Sequence, residues 1–508
     1  MPSRRAKPAL LALVLCLAGF PAGAEPPGAA ASVRIEQGSL VGIREGDAEL
    51  FRGIPYAAPP VGALRWRPPQ PPASWTGVRP ATAFGPACLQ PTGAANIGGD
   101  PGPVSEDCLT LNVWKPHGAR GLAVMVWIHG GGHRFGASSQ PYYDGTAFAR
   151  DGVVFVSLNY RLAGLGFFAH PALSQEAAAK APLGNYGLMD QMAALAWVKR
   201  NARAFGGDPT NVTVFGESSS AVDVQALMAV RAAGDLFQKA IVESSCDWDE
   251  PTSLGAREQE GLAMAAKAGL GANATAAELR ALPGAAFLDP GFQFEFAPFE
   301  DGRLLTETPT QAFADGDVPT IPMVLGSNSY EGAVAQNLVG LKGLASRLGD
   351  LYPNHGEGET SLRALDTDRY FGAPCRWIAG EQARRAPTFL YRFSYLPEAL
   401  RSVLPGAPHG SELPYVFDEL ARLAGSPFAG KQGPAAEDLA MARLLHDCWV
   451  VFAKTGRPRC AGAPAWPAYS RRDDQLLDFG AVTEVRSRVR AEQYDALERL
   501  VLPAILRR

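Results

Sequence analysis

The sequence predicts an α/β protein with a large, mostly parallel central sheet, flanked by helices and enlarged by helical insertions. Two continuous apolar runs, "LAVMVWI" and "GVVFVSL", have the composition of strands that are buried on both faces. A segment with helical spacing, "MAALAWVKRNARA", follows them and ends at a Gly-Gly pair. The segments "NVTVFG", "AVDVQALMAV" and "FQKAIVES" then alternate strand, helix and strand. This alternation is typical of a parallel sheet with right-handed crossovers.

The remaining segments fit the same fold class. Near the start, "VRIEQGSLVGI" and "AELFRGIPYA" alternate in polarity and predict small antiparallel strands. Residues 250–315 and 332–385 are more polar and more helical, so we interpret them as insertions. The chain of 508 residues contains no internal repeat and no low-complexity linker. We therefore predict one domain over residues 25–508, since a doubly wound sheet can absorb several hundred residues.

Composition and charge exclude several classes of partner. Hydrophobic residues make up 47% of the chain and charged residues 19%, as in an ordinary packed globular protein. The formal net charge is −4, and no long run of one sign occurs. We therefore expect no nucleic acid and no anionic membrane surface as a partner. None of these properties encodes the oligomeric state.

The first 24 residues have the composition of a secretory signal peptide. Arg4, Arg5 and Lys7 precede the apolar run "ALLALVLCLAGF", and the small-residue ending "PAGA" follows. We predict cleavage after Ala24 and a secreted or periplasmic mature protein. A membrane anchor is the alternative, but the apolar run is shorter than the roughly 20 residues that a spanning helix needs.

The cysteines fit an exported protein. Removal of the signal leaves an even number, six, which permits disulfides: Cys88, Cys108, Cys246, Cys375, Cys448 and Cys460. Cys88 and Cys108 bracket a Gly- and Pro-rich stretch without hydrophobic periodicity, and closing such a loop contributes on the order of 3 kcal/mol. We expect that bridge. The spacing of the other four cysteines does not choose among free thiols and their three possible pairings.

The segment "VTVFGESSSAVD" predicts a nucleophile on a sharp turn between a strand and a helix, as in the α/β-hydrolase fold. The common motif is G-x-S-x-G, and three serines compete for its centre. Only Ser218 has a glycine, Gly216, two positions earlier, so the register selects Ser218. Ser220 then occupies the second glycine position and adds one hydroxymethyl group. We expect it to crowd the turn without abolishing it.

A glycine run upstream supports this interpretation. "WIHGGG", with His129 to Gly132, ends the first buried strand. Successive glycines in that position can direct backbone N–H groups at a developing oxyanion. The alternative is a plain glycine turn with no chemical role.

The chain resembles the type B carboxylesterases, the family that includes the cholinesterases. "FRGIPYAAPPVGALRWRPP" and "SEDCLTLNVW" resemble the two signatures of that family. Four further stretches match in the same order: "VWIHGGGHRFG", "SLNYRLAGLGFF", "GNYGLMDQMAALAWVKRNARAFGGDPTNVTVFGES" and "HGSELPYVF". The resemblance covers nearly the whole mature chain and implies an α/β-hydrolase fold and the hydrolysis of carboxylic esters.

The resemblance also implies two partners for Ser218. The family's acid falls on Glu331 in "IPMVLGSNSYEG", and its histidine falls on His409. The chain order of serine, acid and histidine is the one that the fold requires. His409 would remove the proton of Ser218, and Glu331 would orient and stabilise the imidazolium. Glu217 matches the family too, and we expect it to act electrostatically near the imidazolium.

The remaining implied site groups are backbone N–H groups. Those of Gly131, Gly132 and Ser219 would form the oxyanion hole, and the serine that replaces the family's usual alanine at position 219 keeps its N–H. An acyl-enzyme would form on Ser218, and water would release it. This chemistry requires no metal and no nucleotide, and its implied partner is a small-molecule ester.

Further matches concern structure. Arg65 with Glu106, and Arg161 with Asp190, stand where the family has internal ion pairs, and the pairing of Cys88 with Cys108 matches its first disulfide. Departures from the family pattern are Ser220 in the turn, Ser245 on the next strand, and Asp223 in the helix after the turn.

Three other functions fit the sequence less well. A catalytically inactive, cholinesterase-like binding protein is the main alternative, and the retained serine, acid and histidine argue against it. A choline esterase is disfavoured because the stretch from Leu89 to Asp107 lacks the aromatic residue that stacks on choline in that family. A lipase with interfacial activation has no identifiable amphipathic lid to support it.

Overall fold

The structure, a computed structural model, describes most of the chain. It covers residues 30–93, 99–178, 180–246, 248, 251–289, 291, 293–335, 338–352, 358–423 and 433–506. The predicted signal peptide lies outside these residues, so cleavage after Ala24 stays a prediction.

A mixed sheet of 13 strands forms the centre of the described part of the chain. Its order is β1-β2-β3-β7-β9-β8-β10-β11-β12-β13-β14-β15, with β4 beside β2. The run from β9 to β14 is parallel, and antiparallel strands flank it on both sides. The strands are β1 Ala30–Ile35, β2 Gly38–Glu45, β3 Ala48–Pro55, β4 Val78–Pro80, β5 Ala87–Cys88, β6 Val104–Ser105, β7 Thr110–Pro116, β8 Leu122–Ile128, β9 Val154–Leu158, β10 Gly207–Glu217, β11 Lys239–Glu243, β12 Met323–Asn328, β13 Thr388–Phe393, β14 Gln475–Phe479 and β15 Thr483–Ser487.

Helices connect the strands and form the insertions. They are α1 Thr146–Arg150, α2 Ala163–Gly166, α3 Pro171–Glu176, α4 Tyr186–Asn201, α5 Ser219–Ala229, α6 Leu254–Lys267, α7 Ala276–Ala281, α8 Pro309–Asp315, α9 Lys342–Leu348, α10 Glu359–Thr367, α11 Ala373–Gln382, α12 Leu413–Val416, α13 Ala436–Thr455 and α14 Ala491–Ile505. A π-helical turn, Asp368–Gly372, joins α10 to α11. The predicted fold class, an α/β-hydrolase sheet with helical insertions, is confirmed.

The sheet separates two layers of hydrophobic core, as the continuous apolar runs predict. Along β8, Val124, Val126 and Ile128 pack into one layer, and Met125 and Trp127 pack into the other. The alternation follows from the two-residue period of a strand whose faces are both covered. Such a sheet gives a rigid base for the loops at the carboxyl ends of its strands.

Three cysteine pairs lie at disulfide-bonding distance. They are Cys88 with Cys108, Cys246 with Cys375, and Cys448 with Cys460. The first is the pair expected from the loop that it closes. The structure selects the other two pairings, which the sequence left open.

The two ion pairs implied by the resemblance are also present. Arg65 binds Glu106 through two hydrogen bonds of 2.7 and 2.6 Å. Arg161 binds the fully buried Asp190 through two hydrogen bonds of 2.7 Å. Both are bidentate arginine–carboxylate pairs, and such a pair fixes the relative position of two segments.

Candidate active site

Ser218 lies at the turn between β10 and α5, as the register predicts. Its backbone has φ 59° and ψ −128°, a conformation that serine rarely adopts. Its N–H donates to the carbonyl of Glu243 at 3.0 Å, and its carbonyl accepts from the N–H of Ala221 at 2.9 Å. Strain of this kind persists only where the surroundings fix it, and it exposes the side chain at the top of the sheet.

The strand and the helix approach each other closely on both sides of this turn. A Cβ atom on Gly216 would lie 2.6 Å from Ser220 Oγ, so a side chain does not fit there. The Ser220 hydroxyl is fully buried, accepts from the N–H of Glu217 at 3.0 Å and lies 2.7 Å from the carbonyl of Ile128. The extra side chain is therefore held by hydrogen bonds between the ends of β8 and β10, where the sequence predicted only crowding.

The three side chains predicted to work together meet at the carboxyl edge of the sheet. His409 Nε2 lies 2.9 Å from Ser218 Oγ, and His409 Nδ1 lies 2.6 Å from Glu331 Oε2. With Nδ1 protonated, the ring donates to Glu331 and presents an unprotonated nitrogen to the serine hydroxyl. This is the hydrogen-bonding order that allows an imidazole to accept a serine proton.

Local structure fixes the acid and the histidine. Glu331 follows β12 in a short 3-10 turn, is fully buried, and accepts at Oε1 from the N–H of Asn328 at 2.6 Å. The loop that carries His409 is held beside this turn because the N–H of Tyr330 donates to Ala407 at 2.8 Å. The ring of Phe371, on the π-helical turn, lies 5.4 Å from the imidazole between ring centres.

The glycine loop after β8 lies directly beside Ser218. A Cβ atom on Gly130 would be 3.1 Å from the Cβ of Ser218. Gly131 and Gly132 have positive φ values of 111° and 62°. Among the described residues, no acceptor binds the N–H groups of Gly131, Gly132 and Ser219. These are the donors that an oxyanion hole needs, although their role stays a prediction.

Several buried carboxyl groups interact electrostatically near the imidazole. Burial raises the pKa of Glu217 to about 8 and that of Glu412 to about 7, and it raises the pKa of Glu243 well above its usual range. Burial by itself would lower the pKa of His409, but Glu217, with Oε1 3.2 Å from Nε2, and Glu331 raise it to about 10. The carboxylates therefore stabilise the imidazolium that forms when His409 takes the proton of Ser218.

The sequence analysis did not predict Glu412, Glu243 or the side chains that donate hydrogen bonds to them. Ser244 Oγ donates to Glu412 Oε1 at 2.5 Å, and the Asn328 amide donates to the other Glu412 oxygen. Trp449 Nε1 donates to Glu243 at 2.8 Å. Glu412 stands three residues after His409 in "HGSELPYVF", which was the available signal. Glu243 and Trp449 lie far apart in the chain, and no local pattern joins them.

The other histidines do not compete with His409. Burial lowers the pKa of His129 to about 4, and its ring stacks on Tyr160 at 4.7 Å between centres. His133 is buried and bonded to Asp223, and His446 lies 2.8 Å from the carbonyl of Val416. His117 Nδ1 lies 2.6 Å from Glu49, the buried His170 caps the start of α3, and His355 lies outside the described residues.

In the part of the chain that the structure describes, no group of three or more His, Cys, Asp and Glu side chains is placed to hold a metal ion. Over the same residues, no helix combines the length and the apolar character needed to cross a membrane.

Comparison with known proteins identifies the family of the chain. A model of the carboxylesterase family matches residues 29–346 and 352–497. Fumonisin B1 esterase of Sphingopyxis macrogoltabida is 37% identical over 470 residues, which cover 88% of this chain and 86% of that protein. Para-nitrobenzyl esterase of Bacillus subtilis is also 37% identical, over 88% of this chain and 94% of that protein. Human cocaine esterase is 32% identical, over 86% of this chain and 85% of its own length.

Solved structures give the same result. A PNB esterase structure superposes with a TM-score of 0.81 at 33% identity, covering 92% of this chain and 99% of that one. The carboxylesterase of Geobacillus stearothermophilus superposes with a TM-score of 0.79 at the same identity and coverage. The resemblance seen in the sequence motifs is confirmed: the chain belongs to the carboxylesterase family and is a carboxylic ester hydrolase.

Proposed function

We propose that this enzyme is an exported serine esterase in which Ser218, His409 and Glu331 form the catalytic triad and an acyl group is carried on Ser218. The observation that supports this most strongly is the continuous contact from Ser218 Oγ to His409 Nε2 and from His409 Nδ1 to Glu331, over 2.9 and 2.6 Å. These residues come from three distant parts of the chain. If Ser218 were only the residue that precedes a helix, nothing would require these three side chains to be in contact.

The proposed acylation step follows from these contacts. His409 Nε2 takes the proton of Ser218 as Oγ attacks the ester carbonyl carbon, and the carbonyl oxygen becomes an oxyanion. The C–O bond to the alcohol then breaks, and the imidazolium returns that proton to the departing alkoxide. Ser218 keeps the acyl group. Glu331 accepts a hydrogen bond from Nδ1 and so fixes the ring with Nε2 facing the serine.

The oxyanion would be bound by the free N–H groups of Gly131, Gly132 and Ser219. Removing a single donor of this kind from other enzymes costs about 10²- to 10³-fold in turnover. Deacylation repeats the same steps with water in place of serine: His409 takes a water proton, hydroxide attacks the acyl carbon, and Ser218 leaves with the proton. The products are a carboxylic acid and an alcohol.

Export is part of the proposal. The basic start, the apolar run and the small-residue ending support cleavage after Ala24. Three cysteine pairs at bonding distance suit an oxidising compartment. N-terminal sequencing of material from the medium or periplasm should begin near Glu25. Recovery of the intact chain from the cytoplasm alone would contradict export.

The proposed substrates are carboxylic esters of small molecules. Relatives are named for fumonisin B1, para-nitrobenzyl esters, phenmedipham and cocaine, so the family name by itself does not narrow the acyl or alcohol part. A series of p-nitrophenyl esters with increasing acyl length would measure the size of the acyl site. A rise in kcat/KM up to one length, followed by a fall, would define its depth.

Labelling with a fluorophosphonate probe tests the triad. The unmodified protein should be labelled at Ser218, and Ser218→Ala should not be labelled. Ser219→Ala serves as the matched variant, since it loses a neighbouring hydroxyl but keeps the peptide N–H, and it should still be labelled at position 218. Glu331→Gln should slow labelling less than His409→Ala does, because it keeps the imidazole that acts as the base. A folded, unmodified sample without any label would support the inactive binding protein instead.

A further inference from the structure

A second buried histidine–carboxylate pair, outside the proposed triad, lies beside the turn that carries Ser218. His133 follows the glycine run, and Asp223 lies one helical turn into α5. His133 Nε2 is 2.9 Å from Asp223 Oδ1, and the two residues are 3% and 0% exposed. The carboxylate also accepts from Gln191 Nε2 at 2.6 Å. The proposed mechanism uses neither residue, yet burying a carboxylate is costly unless its partners compensate.

Both ring nitrogens of His133 face oxygen acceptors. Nδ1 lies 2.8 Å from the carbonyl oxygen of Phe296, which can only accept, and Nε2 faces the carboxylate of Asp223. Both contacts are satisfied when the ring donates from both nitrogens. The ring also packs against Phe167, with centres 4.7 Å apart. His129 also interacts electrostatically with this pair, and burial lowers the pKa of His129 to about 4.

The backbone of His133 makes a second connection to α5. Its N–H donates to Ser219 Oγ at 3.2 Å, and its carbonyl accepts from Ala163 at 2.7 Å. His133 has a φ of 55°, in the left-handed region that a non-glycine residue rarely adopts. The contacts of His133 therefore hold its backbone in a conformation that is otherwise unfavourable for a non-glycine residue.

These contacts join the two parts of the proposed oxyanion hole. Gly131 and Gly132 belong to the loop after β8, whereas Ser219 begins α5. The distance between the two sets of N–H groups thus depends on what ties the loop to the helix. Through side chain and backbone, His133 ties it at two points, Ser219 Oγ and Asp223. Displacing one catalytic group by about 1 Å can cost 10²-fold in rate.

We propose that His133 and Asp223 are positioning residues that clamp the glycine loop to the nucleophile helix and so set the geometry of the oxyanion hole. The proposal rests on the proposed function, because an oxyanion hole matters only if Ser218 is acylated. The clamp acts through backbone donors that bind charge only in the transition state. Weakening it should lower kcat more than it raises KM.

The test compares Asp223→Asn with the double variant His133→Asn/Asp223→Ala. The first keeps the size of the side chain and removes its charge. The second removes both partners, so that no unpaired carboxylate stays buried, and asparagine tolerates the left-handed backbone. Asp474→Asn is the matched control: it is a buried aspartate bonded to Arg376 and Tyr469 rather than to the glycine loop.

Active sites are titrated with an organophosphate, so that turnover is expressed per folded site. For both clamp variants we expect kcat on p-nitrophenyl acetate to fall about 10- to 100-fold, with KM changing less than about threefold. The inhibition constant of a trifluoromethyl ketone, which forms an oxyanion on the serine, should rise by the same factor as kcat/KM falls. The control should keep both constants.

The outcomes separate the two proposals. If the unmodified enzyme titrates and both clamp variants keep kcat per site and the ketone's inhibition constant within about twofold, the clamp is overturned and the triad stands. A fall in titratable sites alone, with kcat per site unchanged, also overturns it, since that is a purely structural effect. If the organophosphate does not react with the unmodified enzyme, the proposed function is wrong. The clamp proposal is then wrong as well, because it depends on that function.

Discussion

The hydroxyl of Ser220 should stabilise the turn that carries Ser218. Ser220→Ala removes a single oxygen atom and leaves the Cβ and the helix start in place. That oxygen lies between the N–H of Glu217, at 3.0 Å, and the carbonyl of Ile128, at 2.7 Å, with no solvent exposure. The register of β8 with β10 ends at Ile128 and Gly216, so the hydroxyl takes the place of the next hydrogen bond between the two strands.

The magnitude follows from the groups that would lose their partner. A buried backbone N–H or C=O left unsatisfied costs about 1–3 kcal/mol. Ser220→Ala leaves up to two such groups, so we expect the free energy of unfolding to fall by about 2–4 kcal/mol. Ser220→Gly restores the common motif but adds backbone freedom, which costs up to about 1 kcal/mol more. Restoring the family's glycine should therefore destabilise this protein.

The assay is urea-induced unfolding followed by tryptophan fluorescence, with the disulfides intact. Ser346→Ala is the control, because its exposed hydroxyl bonds to the preceding helical turn, at Lys342, and the change should stay within about 0.5 kcal/mol. Turnover of Ser220→Ala should stay within about tenfold of the unmodified enzyme, since Ser218 keeps both triad partners.

An unchanged unfolding free energy in Ser220→Ala, within about 0.5 kcal/mol, would refute this reasoning. It would mean that the backbone groups of β8 and β10 pair directly when the hydroxyl is absent. A stabilised Ser220→Gly would support crowding instead, the expectation drawn from the sequence motif.

Three further outcomes can be checked with the same protein. Ser218→Ala should lower kcat by about 10⁴-fold or more in a p-nitrophenyl ester assay, and residual turnover near that of the unmodified enzyme would assign the nucleophile elsewhere. Glu217→Gln replaces a carboxyl group, 3.2 Å from His409 Nε2, whose ionised form raises the pKa of that imidazole, so the pKa of His409 should fall. Because the base must be neutral, the acidic limb of the pH profile of kcat/KM should move to lower pH, and a shift to higher pH would contradict the assigned contact. Replacing Cys88 and Cys108 together with serine should cost about 3 kcal/mol in urea unfolding, whereas an unchanged midpoint would show that the loop they close is already ordered without them.

The turn and the strands could be predicted from the sequence because their causes are local. A strand buried on both faces needs a continuous apolar run, and β8 and β9 have one. The turn needs a small residue two positions before its apex, and Gly216 is the one residue that satisfies this for the three serines. The identity of Ser218 therefore followed from spacing, and Glu331 and His409 followed from resemblance to a family.

Only the tertiary structure decided how distant groups meet. The pairing of Cys246 with Cys375 joins residues 129 positions apart, which no spacing rule addresses. From the sequence, the hydroxyl of Ser220 was expected only to crowd the turn. The structure shows its hydrogen-bonding contacts with Ile128 and Glu217. The sequence likewise identified Asp223 only as a departure from the family pattern. Its partner His133 is 90 residues away in the chain, and only the fold places the two side chains in contact. Local patterns follow from the backbone period and from sterics, whereas the partners of a buried polar group follow from packing, which depends on the whole chain at once.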